Sequence, residues 1–186
     1  VDSPGYGSRH PELITLLDTL TPVAVTRISW IGLTDLDVAA YRDWPACPDF
    51  LVTSVRCIVR VDDRVVVCHT PDGPHIVPGG RREPGESHTA TAVREVREET
   101  GWLLDERDLT FAGFFHYRML DPLPKDHPFP HPDILQLVYT ARATRHSADW
   151  SSWSDSEGWE QHHDLVPTAD LPTLPVPTYQ LSLLPT

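Results

Sequence analysis

Long apolar runs are missing from this chain of 186 residues, and no stretch is long enough to cross a bilayer as a helix. Residues Val1 to Gly7 also lack the basic, apolar and small-residue succession of a signal peptide, so the expected location is cytoplasmic, away from membranes. Cysteine is scarce. Cys47, Cys57 and Cys68 are odd in number and widely spaced, which excludes the look of a disulfide framework, and no paired Cys or His spacing of the structural-zinc kind accompanies them. Basic residues are outnumbered, 15 Lys and Arg against 27 Asp and Glu, for a formal charge of −12. A chain so acidic lacks the footprint of a protein that holds long nucleic acid, and a small anion delivered with its metal fits better. With 40% hydrophobic residues, enough remains for one core.

What is present is an ordered acidic stretch, Gly80 to Trp102, GRREPGESHTATAVREVREETGW. Glu95, Glu98 and Glu99 stand three and four residues apart, which at roughly 100° per residue places them on one helix face. Like charges held together repel, so a cation between them is the natural reason for the arrangement. A solvated acidic face is the ordinary alternative. Ile76-Val77-Pro78-Gly79-Gly80 precedes it, a turn whose glycines permit sharp reversal and close approach of a ligand to a main-chain carbonyl. Ser87 is the expected N-cap, Ala90, Val93 and Val96 the expected apolar back, and Gly101 the expected stop.

Gly80, five residues, Glu86, seven residues, then Arg94-Glu95-Val96, any residue, Glu98-Glu99, any residue and Gly101 resemble the box of the Nudix hydrolases in register. Trp102 departs from it, standing where the family usually has Ile, Leu or Val. The resemblance implies an α/β fold, the Nudix-type α/β/α sandwich with a mixed central sheet. It implies a Mg²⁺-dependent pyrophosphohydrolase, with Mn²⁺ as an alternative ion, that cleaves a diphosphate bond in a small phosphorylated substrate. Such a substrate is a nucleoside diphosphate linked to another group, or a nucleoside triphosphate. By resemblance Glu98 and Glu99 are the principal metal ligands, the Gly80 carbonyl adds an oxygen, and Glu95 ligates metal or acts as a base. Arg94 holds a box glutamate, and Glu86 either braces the loop or contacts metal through water. The chemistry agrees: hard cations bind carboxylates and phosphates while activating water.

Outside the box, Glu157 and Glu160 are the candidates for a further carboxylate of the site, and an exposed loop acid is an equally good reading of either. His75 is a pocket candidate because it borders the box. Phe129 lies in the proline-rich loop Met119 to Asp133 and is a candidate for stacking on a base, against the plainer reading of a long surface loop. Trp150, Trp153 and Trp159 form a ligand wall or pack on the domain. His162-His163 reads as a surface pair rather than a base.

Three regions follow: an extension over residues 1–50, the catalytic domain over 51–172, and a proline-rich tail over 173–186. Leu51 to Arg60 and Arg64 to His69 read as a hairpin about Asp62-Asp63, with further strands at Leu109 to Tyr117 and Ile134 to Ala143. In the extension, Pro11 to Leu20 reads as a helix, Val23 to Ile31 as a strand and Asp35 to Trp44 as a second helix. Its role is open between covering the sheet, a homodimer contact and a wall of the pocket. The proline-rich end, Val166 to Thr186, reads as extended, with a short helical turn near Ala169 to Leu171. Two further functions share the fold: a non-catalytic ligand-binding sensor, against which the retained glutamates weigh, and an isoprenoid diphosphate isomerase, which the hydrolase box disfavours.

Overall fold

The computed structural model describes residues 7–30, 34–42, 48–124, 127, 129–147 and 160–185. The apolar run after residue 50 forms β3 (Val52–Val61), turns at Asp62 with φ 54°, and returns as β4 (Arg64–Thr70). Two short strands, β5 (Gly73–His75) and β6 (Gly79–Arg81), lead into the box helix, which is preceded in the chain by α1 (Pro11–Asp18) and is therefore α2 (His88–Thr100). After the two-residue β7 (Trp102–Leu103), β8 (Thr110–Met119) and β9 (Asp133–Arg142) appear where alternation and β-branched content place strands.

The main sheet runs β1-β2-β8-β9-β3-β4-β11, where β1 is Ala24–Trp30, β2 is Thr34–Tyr41 and β11 is His162–Pro167; β5 pairs with β4 and β6 with β3. Among the described residues only β3 and β9 run parallel, so the sheet is mixed. A minor ribbon joins β7 to β10 (Arg145–His146). Side chains alternate between two cores, one per face. Leu135 and Leu137 of β9 and Val55, Cys57 and Val59 of β3 meet Leu13 and Leu16 of α1 and Ala92 and Val96 of α2. On the opposite face Ile58, Val67, Phe115 and Val138 meet Leu171, Val176, Tyr179 and Leu183. The layers are helices, sheet and a C-terminal cover, as the resemblance implies.

Two readings are corrected here. Asp35 to Tyr41 is not helical: Thr34, Leu36, Val38 and Ala40 are buried in alternation, and β2 pairs with both β1 and β8. The period is two rather than 3.6, which the short segment Leu36-Asp37-Val38-Ala39-Ala40 left ambiguous. Nor is the C-terminal segment extended. A 3₁₀ stretch at Thr168–Thr173 and α3 (Thr178–Leu181) fold it onto the sheet, with Leu171 and Leu183 fully buried. Its prolines each follow an apolar residue, and they shape the path without interrupting burial. The extension is likewise part of the fold: Arg9 Nε reaches Asp133 at 3.1 Å, and His116 Nε2 lies 2.7 Å from the same buried carboxylate. Among the described residues no helix is long and apolar enough to cross a membrane.

Candidate active site

Two glycines create the floor of the site. Gly79 has φ 143°, and a Cβ there would run into the Val55 carbonyl, so the close pairing of β6 with β3 requires glycine. A Cβ on Gly80 would lie 2.6 Å from the Glu95 carboxylate, which therefore packs directly on the loop. Helix α2 begins as the sequence dictates: Ser87 Oγ accepts from the Ala90 amide at 3.0 Å. It ends at Gly101, φ 68°, whose amide donates to the Arg97 carbonyl.

The buried side of α2 is Thr91, Ala92, Val96 and Thr100, with Ala90 and Val93 only partly buried, so the expected apolar back is rotated. Glu95 and Glu99 sit one position before Val96 and Thr100 and are turned into the junction between helix and loop. Glu98 is outermost, with its side chain 56% exposed against 13% for Glu95. The ridge is graded from solvent to interior.

Glu99 is the inner end. Its Oε2 accepts from the Gly79 amide at 2.7 Å. Burial pushes its carboxyl up to about 8; Arg56 opposes that, while Glu160 and Glu95 add to it. Burial also raises Glu95, against the pull of Arg94. Arg56, whose Nη1 donates to the Gly79 carbonyl, has no place in the sequence reading. Its signal was an arginine set between Val55 and Cys57 within the apolar run of the strand.

Arg94 holds more than the one glutamate expected. Its Nε and Nη2 grip Glu86 at 2.7 and 3.0 Å, Nη1 reaches Glu95 and Glu98 at 2.9 Å each, and Nη2 also donates to the Arg81 carbonyl. The fork of the guanidinium makes this possible. Glu86 accepts in addition from the Glu83 amide and the Thr91 hydroxyl, and the Arg94 hydrogen bonds hold its carboxyl down at about 2. Its geometry is that of a brace.

Of the candidates outside the box, His75 and Glu160 meet: Nε2 and Oε1 are 2.8 Å apart, with the Glu160 side chain 5% exposed. The reading of Glu160 as an exposed loop acid fails, because the residue is enclosed beside β4. Phe129 packs against the core under the Arg81 guanidinium, 5.9 Å from its carbon, so the proline-rich loop meets the ridge through Arg81. His162 stacks on His69 at 4.2 Å. Trp102 is partly buried against the helix-side core and meets His146 edge-on. Glu157, Trp150, Trp153 and Trp159 lie outside the described residues.

The donor set fits a hard divalent cation. Glu95, Glu98 and Glu99 supply oxygen only, and the Glu99 carboxyl, raised by burial and further by the negative charge of Glu160 and Glu95, is a group that a cation would restore to its ionised form.

A family model for the NUDIX domain matches residues 51–181. The uncharacterized Nudix hydrolase YvcI of Bacillus subtilis (strain 168) is 31% identical over 129 residues, covering 68% of this chain and 74% of that protein. Among solved structures, a mutant of the Bacillus subtilis pyrophosphohydrolase BsRppH matches with TM-score 0.51 at 20% identity, covering 75% of this chain and 76% of that one. The MutT protein from Bacillus halodurans matches with TM-score 0.50 at 20% identity, over 71% of this chain and 82% of that one. These structural likenesses are of fold.

Proposed function

The chain belongs to the Nudix hydrolase family, and from that premise we propose that it is a Mg²⁺-dependent pyrophosphohydrolase of small nucleotide substrates. The substrate is a nucleoside diphosphate linked to another moiety, or a nucleoside triphosphate. Water attacks one phosphorus, the P–O–P bond breaks, and the departing phosphate carries away the bridging oxygen. When bound, Mg²⁺, or Mn²⁺ in its place, would neutralise the phosphate oxygens and make water nucleophilic.

Glu95, Glu98 and Glu99 would hold the ion, with the Gly80 carbonyl as a further oxygen. The Gly79 amide aims Glu99, and Arg94 fixes one oxygen each of Glu95 and Glu98. Glu95, whose burial raises its carboxyl, is suited to accept a proton from the attacking water. Glu160, held by His75, stands near enough to Glu99 to raise its carboxyl and is the candidate acid outside the box. His75 thereby orients Glu160 rather than meeting substrate directly, and Phe129 lines the rim behind Arg81.

One observation carries the reading: a partly buried Glu99 is pointed by a backbone amide into a field of two other carboxylates. A sensor that binds without hydrolysing does not need that strain. The test is a screen of purified protein with Mg²⁺, Mn²⁺ or chelator against nucleoside triphosphates, nucleotide sugars, ADP-ribose and dinucleoside polyphosphates, with products identified. Metal-dependent cleavage of at least one class is expected. Binding of these compounds without cleavage under either cation supports the sensor instead.

A further inference from the structure

Next to the carboxylate ridge, three segments bring together donors of another kind. Cys68 on β4, His75 on β5 and Glu160 just before β11 each offer a ligand atom, and the three atoms lie within 4.8 Å of one another. The backbone arranges this. Cys68 and His75 are register partners in the β4–β5 pair, and the Gln161 amide donates to the His69 carbonyl at 2.9 Å, which ties Glu160 to the same strand. Cys68 and Glu160 are buried and His75 is partly exposed.

We propose that Cys68, His75 and Glu160 form a binding site for a borderline-soft divalent cation of the zinc class, different in donor chemistry from the all-oxygen ridge; Glu160 serves either this ion or the ridge, so filling this site withdraws it from the ridge and leaves Glu95, Glu98 and Glu99 to hold the other cation. One sulfur, one imidazole nitrogen and one carboxylate oxygen suit zinc or cobalt, whereas magnesium takes oxygen. Metal–nitrogen and metal–sulfur bonds of about 2.0 and 2.3 Å in a tetrahedral site separate ligand atoms by about 3.3 to 3.6 Å. The cluster brackets that spacing, with His75 Nε2 and Glu160 Oε1 at 2.8 Å and no pair beyond 4.8 Å, so small side-chain shifts complete it. Three protein ligands leave a fourth position open.

Burial, Glu160 and Glu99 all hold the Cys68 thiol in its protonated form, with Arg56 opposing. A divalent ion reverses that balance and takes the thiol as thiolate, releasing its proton on binding. The ligands are separated by 7 and 85 residues along the chain, which is why no Cys or His spacing shows the site. A hydrogen-bonded His–Glu pair beside an inert thiol is the competing description, and it entails no cation affinity.

The test is a Co²⁺ titration of the full chain in saturating Mg²⁺, followed by absorbance. A near-ultraviolet thiolate-to-cobalt charge-transfer band that saturates at one equivalent is expected. Cobalt at the ridge, or at the exposed cluster of His69, His162 and Asp164, has no sulfur ligand and gives no such band. Cys68→Ala should abolish the band, and Glu98→Gln should leave it. Losing an outer-shell partner alone weakens metal binding about 10–100-fold, so His75→Ala should weaken Co²⁺ binding by at least about tenfold. Absence of the band in the wild type, or its survival in Cys68→Ala, overturns the site. Should Cys68→Ala fail to fold, unchanged affinity in His75→Ala overturns it equally. A band from a protein that hydrolyses nothing keeps this site while removing the hydrolase reading, and hydrolysis without a band does the reverse.

Discussion

The Gly79 amide donates to Glu99 Oε2 at 2.7 Å while the carbonyl of the same glycine accepts from Arg56 Nη1. One residue of the Pro-Gly-Gly turn, through its two flanking peptide groups, thus links the innermost carboxylate of the ridge to Arg56 of β3. The turn and the helix are registered to each other by this contact, and several outcomes depend on it.

Glu99 has its carboxyl raised from 4.5 to about 8. Between those values the metal-free folded chain keeps a proton that the unfolded chain has released. The contribution to stability is therefore full below the lower value and is lost as pH rises through the upper one. Unfolding free energies of metal-free wild type and Glu99→Gln, from denaturant titrations, should diverge in favour of the variant across that window, by a few kcal/mol at about 1.4 kcal/mol per pKa unit. Added Mg²⁺ should close the gap at high pH. A pH-independent difference would show that Glu99 is not desolvated.

Glu98→Gln and Glu99→Gln remove charge and keep shape. Each is expected to lower turnover by orders of magnitude with the circular dichroism spectrum retained. Steady-state rates at several Mg²⁺ concentrations decide it; undiminished rates in both variants remove the metal assignment.

Neighbouring glycines should fail differently. Gly80→Ala meets the movable end of Glu95 and should cost activity with little loss of stability, whereas Gly79→Ala meets the Val55 backbone at a positive φ and should destabilise the fold. Denaturant midpoints and rates measured side by side separate the two. Equal midpoints would contradict the packing described.

Arg94→Lys keeps the charge and loses the fork that serves Glu86, Glu95 and Glu98 together. Turnover about 10–100-fold lower, with more Mg²⁺ needed for half-activation, is expected from losing such a supporting contact. A Mg²⁺ titration of activity that superimposes on the wild type would refute the clamp.

Leu183 is fully buried on the face away from α2, so Leu183→Ala should cost about 2–5 kcal/mol. Removal of residues 173–186 should leave a chain that does not fold cooperatively. A truncated protein with an unchanged melting temperature would restore the reading of that segment as a tail.

The box was legible because its chemistry is local: carboxylates at helical spacing, a capping serine and a terminating glycine all act between Ser87 and Gly101. Strands β3, β4, β8 and β9 were legible for the same reason, since their apolar content exceeds anything a turn or surface helix carries. Segment 34–41 was not, because two acids, Asp35 and Asp37, and three small or branched residues satisfy either period until β1 and β8 pair with it. Proline frequency pointed to an extended end, yet burial is decided by the sheet face that Tyr179 and Leu183 cover.

By itself the sequence determined the acidic helix, its loop, its family and hence the kind of fold, because short-range spacing is enough to define each of them. Only tertiary structure decided that Glu99 is partly buried while Glu98 is exposed, that Arg56 and Glu160 act on it, and that Cys68 and His75 join Glu160. Desolvation and Coulomb interaction depend on distances through space. Residues 56, 99 and 160 acquire those distances only when the sheet closes around them.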